Sequence, residues 1–87
     1  MKEYKDNKFH AGDKVRVTKV SNNTIEDMNN LLSWNEDYLN QVGIIVKTTL
    51  TQGIYQYSID FFEPIDEEVA WFSEKQLEMI NKNPNYN

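Results

Sequence analysis

Residues Gly43 to Phe62 read G-I-I-V-K-T-T-L-T-Q-G-I-Y-Q-Y-S-I-D-F-F. β-Branched and aromatic residues fill both halves, and Thr51-Gln52-Gly53 interrupts them with a turn signal. The stretch predicts two strands joined as a hairpin, long enough to form the middle of a small sheet. In its second half Tyr55, Tyr57, Ile59 and Phe61 fall on one face, and Ile54, Gln56, Ser58, Asp60 and Phe62 on the other. Gly43 opens the hairpin with a residue that permits close backbone approach or a positive φ.

Toward the N-terminus, Lys14-Val15-Arg16-Val17-Thr18-Lys19-Val20 alternates in the same way. It predicts a half-buried strand with Val15 and Val17, and Val20 beyond them, facing inward, and with Lys14, Arg16 and Lys19 in water. Those three cations are expected to line an edge strand, where charge discourages stray pairing. Gly12-Asp13 is a turn signal before it, and Phe9 is the first residue expected to dock on the core. Residues 1–8 are expected to form a flexible basic arm.

Thr24 to Asn40 differs in kind. Thr24 with Asp27, and Ser33 with Glu36, have the spacing of helix caps, and Ile25, Met28, Leu31 and Leu32 recur at helical intervals. The pattern predicts a short helical insert over 24–40, broken or double, between the first and second strands. Trp34, Tyr38 and Leu39 are expected to share one of its faces. Beyond the hairpin, Glu63 to Glu68 holds Pro64 and four acids and reads as a loop. Val69-Ala70-Trp71-Phe72 predicts a fourth strand, Ser73-Glu74-Lys75-Gln76 one helical turn, and Leu77-Glu78-Met79-Ile80 a closing strand. Residues 81–87 are expected to be a disordered tail, so the domain proper spans 9–80.

The chain has 87 residues, enough for one domain with a modest core. It contains no cysteine, which excludes disulfides and thiolate metal sites and fits a reducing, cytoplasmic setting. The polar N-terminus lacks the apolar segment of a secretion signal, and no apolar run approaches the roughly 20 residues that cross a bilayer. Without such a signal, the Asn22-Asn23-Thr24 sequon carries no meaning. The net charge is −5 and unevenly placed. Residues 1–20 hold six bases against three acids, and residues 21–87 hold three bases against eleven acids. An acidic body opposes phosphate binding, which depends on Lys and Arg displacing counterions, and attracts basic surfaces instead. The chain is rich in Asn and Lys and poor in Gly and Pro, a bias common in AT-rich bacterial and phage genomes.

Five short strands, a long first connection and a single helical turn before the last strand resemble the layout of an SH3-like barrel. Phe9-His10-Ala11-Gly12-Asp13-Lys14-Val15-Arg16-Val17 is similar to the F-x-x-G-D-x-V-x-V opening of bacterial SH3-like barrels. Among these are the C-terminal domain of the nitrile hydratase β-subunit and the KOW-type modules of translation and transcription. Gly43-Ile44-Ile45-Val46 resembles their second strand, and Trp71-Phe72 through Leu77 their closing element. Small phage and prophage proteins share this skeleton. The resemblance implies a mainly β, five-stranded barrel, and it transfers no catalytic residue and no cofactor or metal site. The glycines that follow the first strand of a KOW unit are replaced here by the insert, and the A-L-Y-D-Y stretch of proline-peptide-binding SH3 domains is missing.

The candidate sites follow from these readings. His10, the lone histidine, has no serine or cysteine beside it and reads as a solvated loop residue rather than a catalyst. Asp60, Glu63, Asp66, Glu67 and Glu68 lack the spacing and glycine of a calcium loop. Tyr55, Tyr57, Phe61, Phe62, Trp71 and Phe72 could stack bases only with basic residues interleaved, and Asp60 and Glu63 stand there instead. More aromatics are present than so small a barrel can bury, and exposed Trp or Tyr beside acids suits a protein interface. The expectation is a non-catalytic protein-interaction module, a phage or mobile-element accessory protein that binds or inhibits a bacterial host protein. Its partner surface would comprise Trp34, Tyr38, Glu63, Asp66, Glu67, Glu68 and Trp71. The alternative is nucleic-acid binding through Lys14, Arg16 and Lys19. No cofactor and no membrane contact are expected, and the oligomeric state is expected to be monomer or weak dimer.

Overall fold

The computed structural model describes residues 8–21, 32–63 and 70–84. Its fold is mainly β. Five antiparallel strands, β1 (Lys14–Val17), β2 (Val42–Thr51), β3 (Ile54–Phe61), β4 (Trp71–Ser73) and β5 (Leu77–Asn81), form one sheet in the order β4-β3-β2-β1-β5. Single 3₁₀ turns at Glu36–Tyr38 and Glu74–Gln76 precede β2 and β5. No helix among the described residues is long and apolar enough to cross a membrane.

The β2–β3 hairpin turns through Gln52 and Gly53, both at positive φ (53° and 79°), with Thr51 paired to Ile54. Two-residue hairpin loops favour such turns because their twist matches that of the flanking strands. The alternation predicted for β3 places Tyr57 in the core, with Tyr55, Ile59 and Phe61 packed against it. Across the sheet Val15 faces Gly43, and Gly43 faces Phe61. A Cβ on Gly43 would lie 2.5 Å from the Asp60 carbonyl oxygen and 2.6 Å from Ile59 Cγ2. Glycine is needed there for close approach, not for a positive φ. Between Ile45 and Lys47 the register slips by one residue, a bulge that bends β2 and leaves Val46 exposed.

The core joins Phe9, Val15, Val17, Tyr38, Ile45, Tyr57, Phe72 and Leu77. Each such side chain contributes roughly 1.5–3 kcal/mol by leaving water. The rings meet edge to face or tilted: Phe9 and Tyr57 at 5.3 Å, Tyr38 with Phe61 at 5.2 Å and with Phe72 at 5.4 Å.

Several expectations are corrected. β1 ends at Val17, because its neighbours leave the ladder there: the Thr18 N–H donates to the carbonyl of Gln76, which belongs to the second 3₁₀ turn, and the Val17 carbonyl accepts from the N–H of Asn40, which stands at positive φ before β2. β1 is not an edge strand, since β5 pairs with it on the side away from β2. Residues 22–31 of the predicted insert lie outside the described residues. From 32 to 40 the chain forms only the Glu36–Tyr38 3₁₀ turn, so Trp34, Tyr38 and Leu39 share no helical face. Tyr38 is buried, while Trp34 and Leu39 are exposed. Residues 1–7, 64–69 and 85–87 also lie outside the described residues. Of the predicted tail, Asn81 belongs to β5, and the Asn83 N–H donates to Asp13 Oδ1 at 2.7 Å.

Candidate functional site

The connection from β1 to β2 returns to the sheet at Leu32, which is buried and bridges Trp71 in parallel. Ser33 is then held from three directions. Its N–H donates to the Trp71 carbonyl at 2.9 Å, and its own carbonyl accepts from the Ser21 N–H at 2.8 Å and from Gln76 Nε2 at 3.1 Å. Asn35 fixes the next turn: its N–H donates to Ser33 Oγ at 3.4 Å, its Oδ1 accepts from the Asp37 N–H at 2.9 Å, and its carbonyl accepts from the Tyr38 N–H at 3.1 Å. Tyr38 closes the loop by burying its ring between Phe61 and Phe72. Leu32 and Tyr38 thus anchor the segment at both ends. Between them Trp34 is 63% exposed, and Glu36 and Asp37 are exposed beside it.

Several buried polar groups have structural work. Gln76 accepts from the Ser73 N–H at 2.9 Å through Oε1, and its Nε2 donates to the Lys19 carbonyl at 3.3 Å as well as to Ser33. Buried amides left without such partners would cost about 1–3 kcal/mol each. The Tyr57 hydroxyl donates to Glu74 Oε2 at 2.7 Å and accepts from the Phe9 N–H at 3.3 Å, while the Lys8 N–H reaches the same Glu74 oxygen at 3.0 Å. Burial first, and then the hydrogen bond to Glu74, push the Tyr57 hydroxyl far above its usual pKa, so it stays a neutral donor. Asp13 is fully buried, with Oδ2 accepting from the His10 N–H at 2.9 Å and Oδ1 from Asn83. Its carboxylate braces the turn before β1.

The predicted site residues separate. Trp34 is on the surface and braced as described. Trp71 is half-buried in β4, where its backbone holds Ser33. Glu63 is exposed just beyond β3. Tyr38 offers no surface, because the core takes it. Asp66, Glu67 and Glu68 lie outside the described residues. Of the alternative set, Arg16 is ion-paired with Glu78 across β1 and β5, and Lys14 Nζ sits 5.5 Å from the centre of the Phe62 ring. Lys19 is exposed. Of the six aromatics weighed as a stacking platform, Tyr57 and Phe72 are buried and Phe62 is 59% exposed. His10 is half-buried at the turn before β1. Among the described residues no three His, Asp or Glu side chains gather as a metal site would require. A shallow groove of about 210 Å³ lies between the hairpin tip and the second 3₁₀ turn, lined by Gly53, Ile54, Tyr55, Ser73, Glu74 and Lys75.

Sequence reasoning missed Gln76, Glu36 and Asp37. The signal for Gln76 was present, since Ser73 with Gln76 has the S-x-x-Q spacing of a capping box, in which the last side chain turns back to the first backbone N–H. Its long-range bonds to Lys19 and Ser33 leave no local trace. No family model, curated protein or solved structure matches the chain.

Proposed function

We propose that this chain is a non-catalytic protein-interaction module on an SH3-like barrel, an accessory protein of a phage or mobile element that binds or inhibits a bacterial host protein. Support for the barrel comes from the strand order, from the bulge that bends β2, and from the 3₁₀ turn directly before β5. A relay of backbone bonds adds to it: Trp71 holds Ser33, Ser33 holds Ser21, and Thr18 holds Gln76, linking β4 to the chain that leaves β1 and on to the start of β5. On this reading the protein works in the cytoplasm as a monomer or weak dimer, without a cofactor.

The observation that carries the functional reading is the contrast between Trp34 and the cationic strip. A tryptophan displayed on a braced loop with two exposed acids suits a protein partner. The bases that would grip phosphate are partly occupied, Arg16 by Glu78 and Lys14 by the Phe62 face. The test is affinity capture from bacterial lysate followed by reconstitution with the purified partner. One saturable, stoichiometric complex is the expected result. Saturable binding of RNA or DNA at micromolar concentration in a low-salt gel shift, with no protein complex, would instead favour Lys14, Arg16 and Lys19 as a nucleic-acid surface.

A further inference from the structure

We infer that the Leu32–Tyr38 loop is a docking site for an arginine-bearing segment of a partner protein, with Trp34 stacking on the guanidinium and Glu36 and Asp37 neutralising it. The inference rests on the interaction-module reading and adds the chemistry of the partner.

Three features of the loop carry it. The first is display: among the described residues Trp34 is the most exposed large apolar side chain, at 63%, although its neighbours two before and four after are buried. An indole left in water forgoes burial that contributes a few kcal/mol in most folds. The second is order. The backbone on either side of Trp34 is fixed by the bonds of Ser33 and Asn35, and the loop ends are set in the core by Leu32 and Tyr38. A ring presented from a fixed backbone loses little freedom on binding, which is what lets a single aromatic dominate an interface.

The third feature is charge. Glu36 and Asp37 follow Trp34 within three residues and are both exposed. They also suit the first turn of the 3₁₀ segment, where negative charge is favourable, but that role leaves their carboxylates open to solvent. A flat cation is the ligand whose chemistry matches all three side-chain types. Guanidinium stacks on an indole face and pairs with carboxylates in its own plane, whereas ammonium does only the second well. The acidic net charge of the chain would speed the encounter with such a segment.

The experiment titrates the full chain with an arginine–glycine repeat peptide. Two controls replace arginine by lysine and by citrulline, the latter keeping the planar shape without the charge. The readouts are calorimetry and the two indole N–H signals in NMR, assigned with Trp34→Phe. Binding of the arginine peptide is expected to shift the Trp34 indole signal and leave that of Trp71 in place. Trp34→Ala should weaken it by about tenfold or more, as for an interface hot spot. Glu36→Gln with Asp37→Asn should weaken it less and flatten its salt dependence. Lysine should bind several-fold more weakly, and citrulline not at all.

Equal binding of arginine and lysine, binding unaffected by Trp34→Ala, or no binding overturns the inference. Both variants alter exposed side chains, so an unchanged NMR spectrum elsewhere separates loss of the site from loss of the fold. If a captured host protein still binds Trp34→Ala at full strength, the interaction module stands and this site falls. A nucleic-acid complex in place of a protein complex removes both.

Discussion

The β2–β3 hairpin and the connection between β1 and β2 are ordered by opposite means. The hairpin carries its own instructions: a long ladder broken by one bulge, a two-residue turn at Gln52-Gly53, and side chains whose alternation matches the core. The described parts of the connection, 18–21 and 32–41, have almost no ladder. They are held by groups distant in sequence: Gln76, Trp71 and, through the Asn40 N–H, Val17. A hairpin can form from local contacts, whereas such a connection takes shape only once the elements around it are in place. The proposed partner site lies on the second kind of structure.

Substitutions can test that contrast, and Gly43→Val should have the largest effect. Its Cβ would meet the backbone of β3 at 2.5–2.8 Å, which a flexible side chain cannot relieve. A loss of roughly 3 kcal/mol, at the top of the usual range for overpacking, is expected in urea unfolding and should loosen hairpin and connection together. A fall below about 1 kcal/mol would mean that the strands part easily, and that the hairpin is less rigid than its ladder implies.

Gln76→Ala comes next and should divide the two regions. It strips partners from the Ser73 N–H and from the Lys19 and Ser33 carbonyls, for a loss of about 1–3 kcal/mol. Hydrogen exchange should quicken at Ser21, Ser33 and Asn35 while the β2–β3 amides stay protected. Uniform loss of protection would show the regions to be one cooperative unit.

Gly53→Ala should act on the hairpin alone. At φ 79° a Cβ meets no neighbouring atom, so the cost is the left-handed backbone itself, about 1–2 kcal/mol. The measurement is the thermal midpoint, and a neutral result would mean the turn can change type.

The smallest effect is conditional on pH. Tyr57 is raised in the folded state above its ordinary value near 10. The unfolded chain therefore loses this proton first, so the stabilisation is complete below about pH 10 and falls as pH rises beyond it. Tyr57→Phe should flatten urea midpoints measured across that range, and an unchanged alkaline slope would place the titrating group elsewhere.

Much of the fold was legible because its signals are local. The alternation of β1 and β3, the turn at Gln52-Gly53 and the single turn before β5 each follow from neighbouring residues, whereas the close approach that requires glycine at position 43 is made by β3. The candidate site was legible only in part. Trp34 stood out as a surplus aromatic, but Tyr38, grouped with it on helical spacing, turned inward. Caps and spacing describe an isolated helix, while Leu32 and Tyr38 instead obey the pockets offered by β3 and β4. Lys14, Arg16 and Lys19 looked like a free edge because the partner that covers β1, β5, arrives some 60 residues later.

By itself, then, the sequence determined a mainly β chain: the hairpin at its centre, the inward faces of β1 and β3, and an acidic body with more aromatics than its core can hold. Only the tertiary structure decided which strands lie at the edges, which aromatics remain in water, and how the loop that displays Trp34 is held. The physical reason is one of range. Periodicity and turn chemistry act between residues a few positions apart, whereas the bonds from Gln76 to Lys19 and Ser33 join residues that meet only after the sheet has assembled.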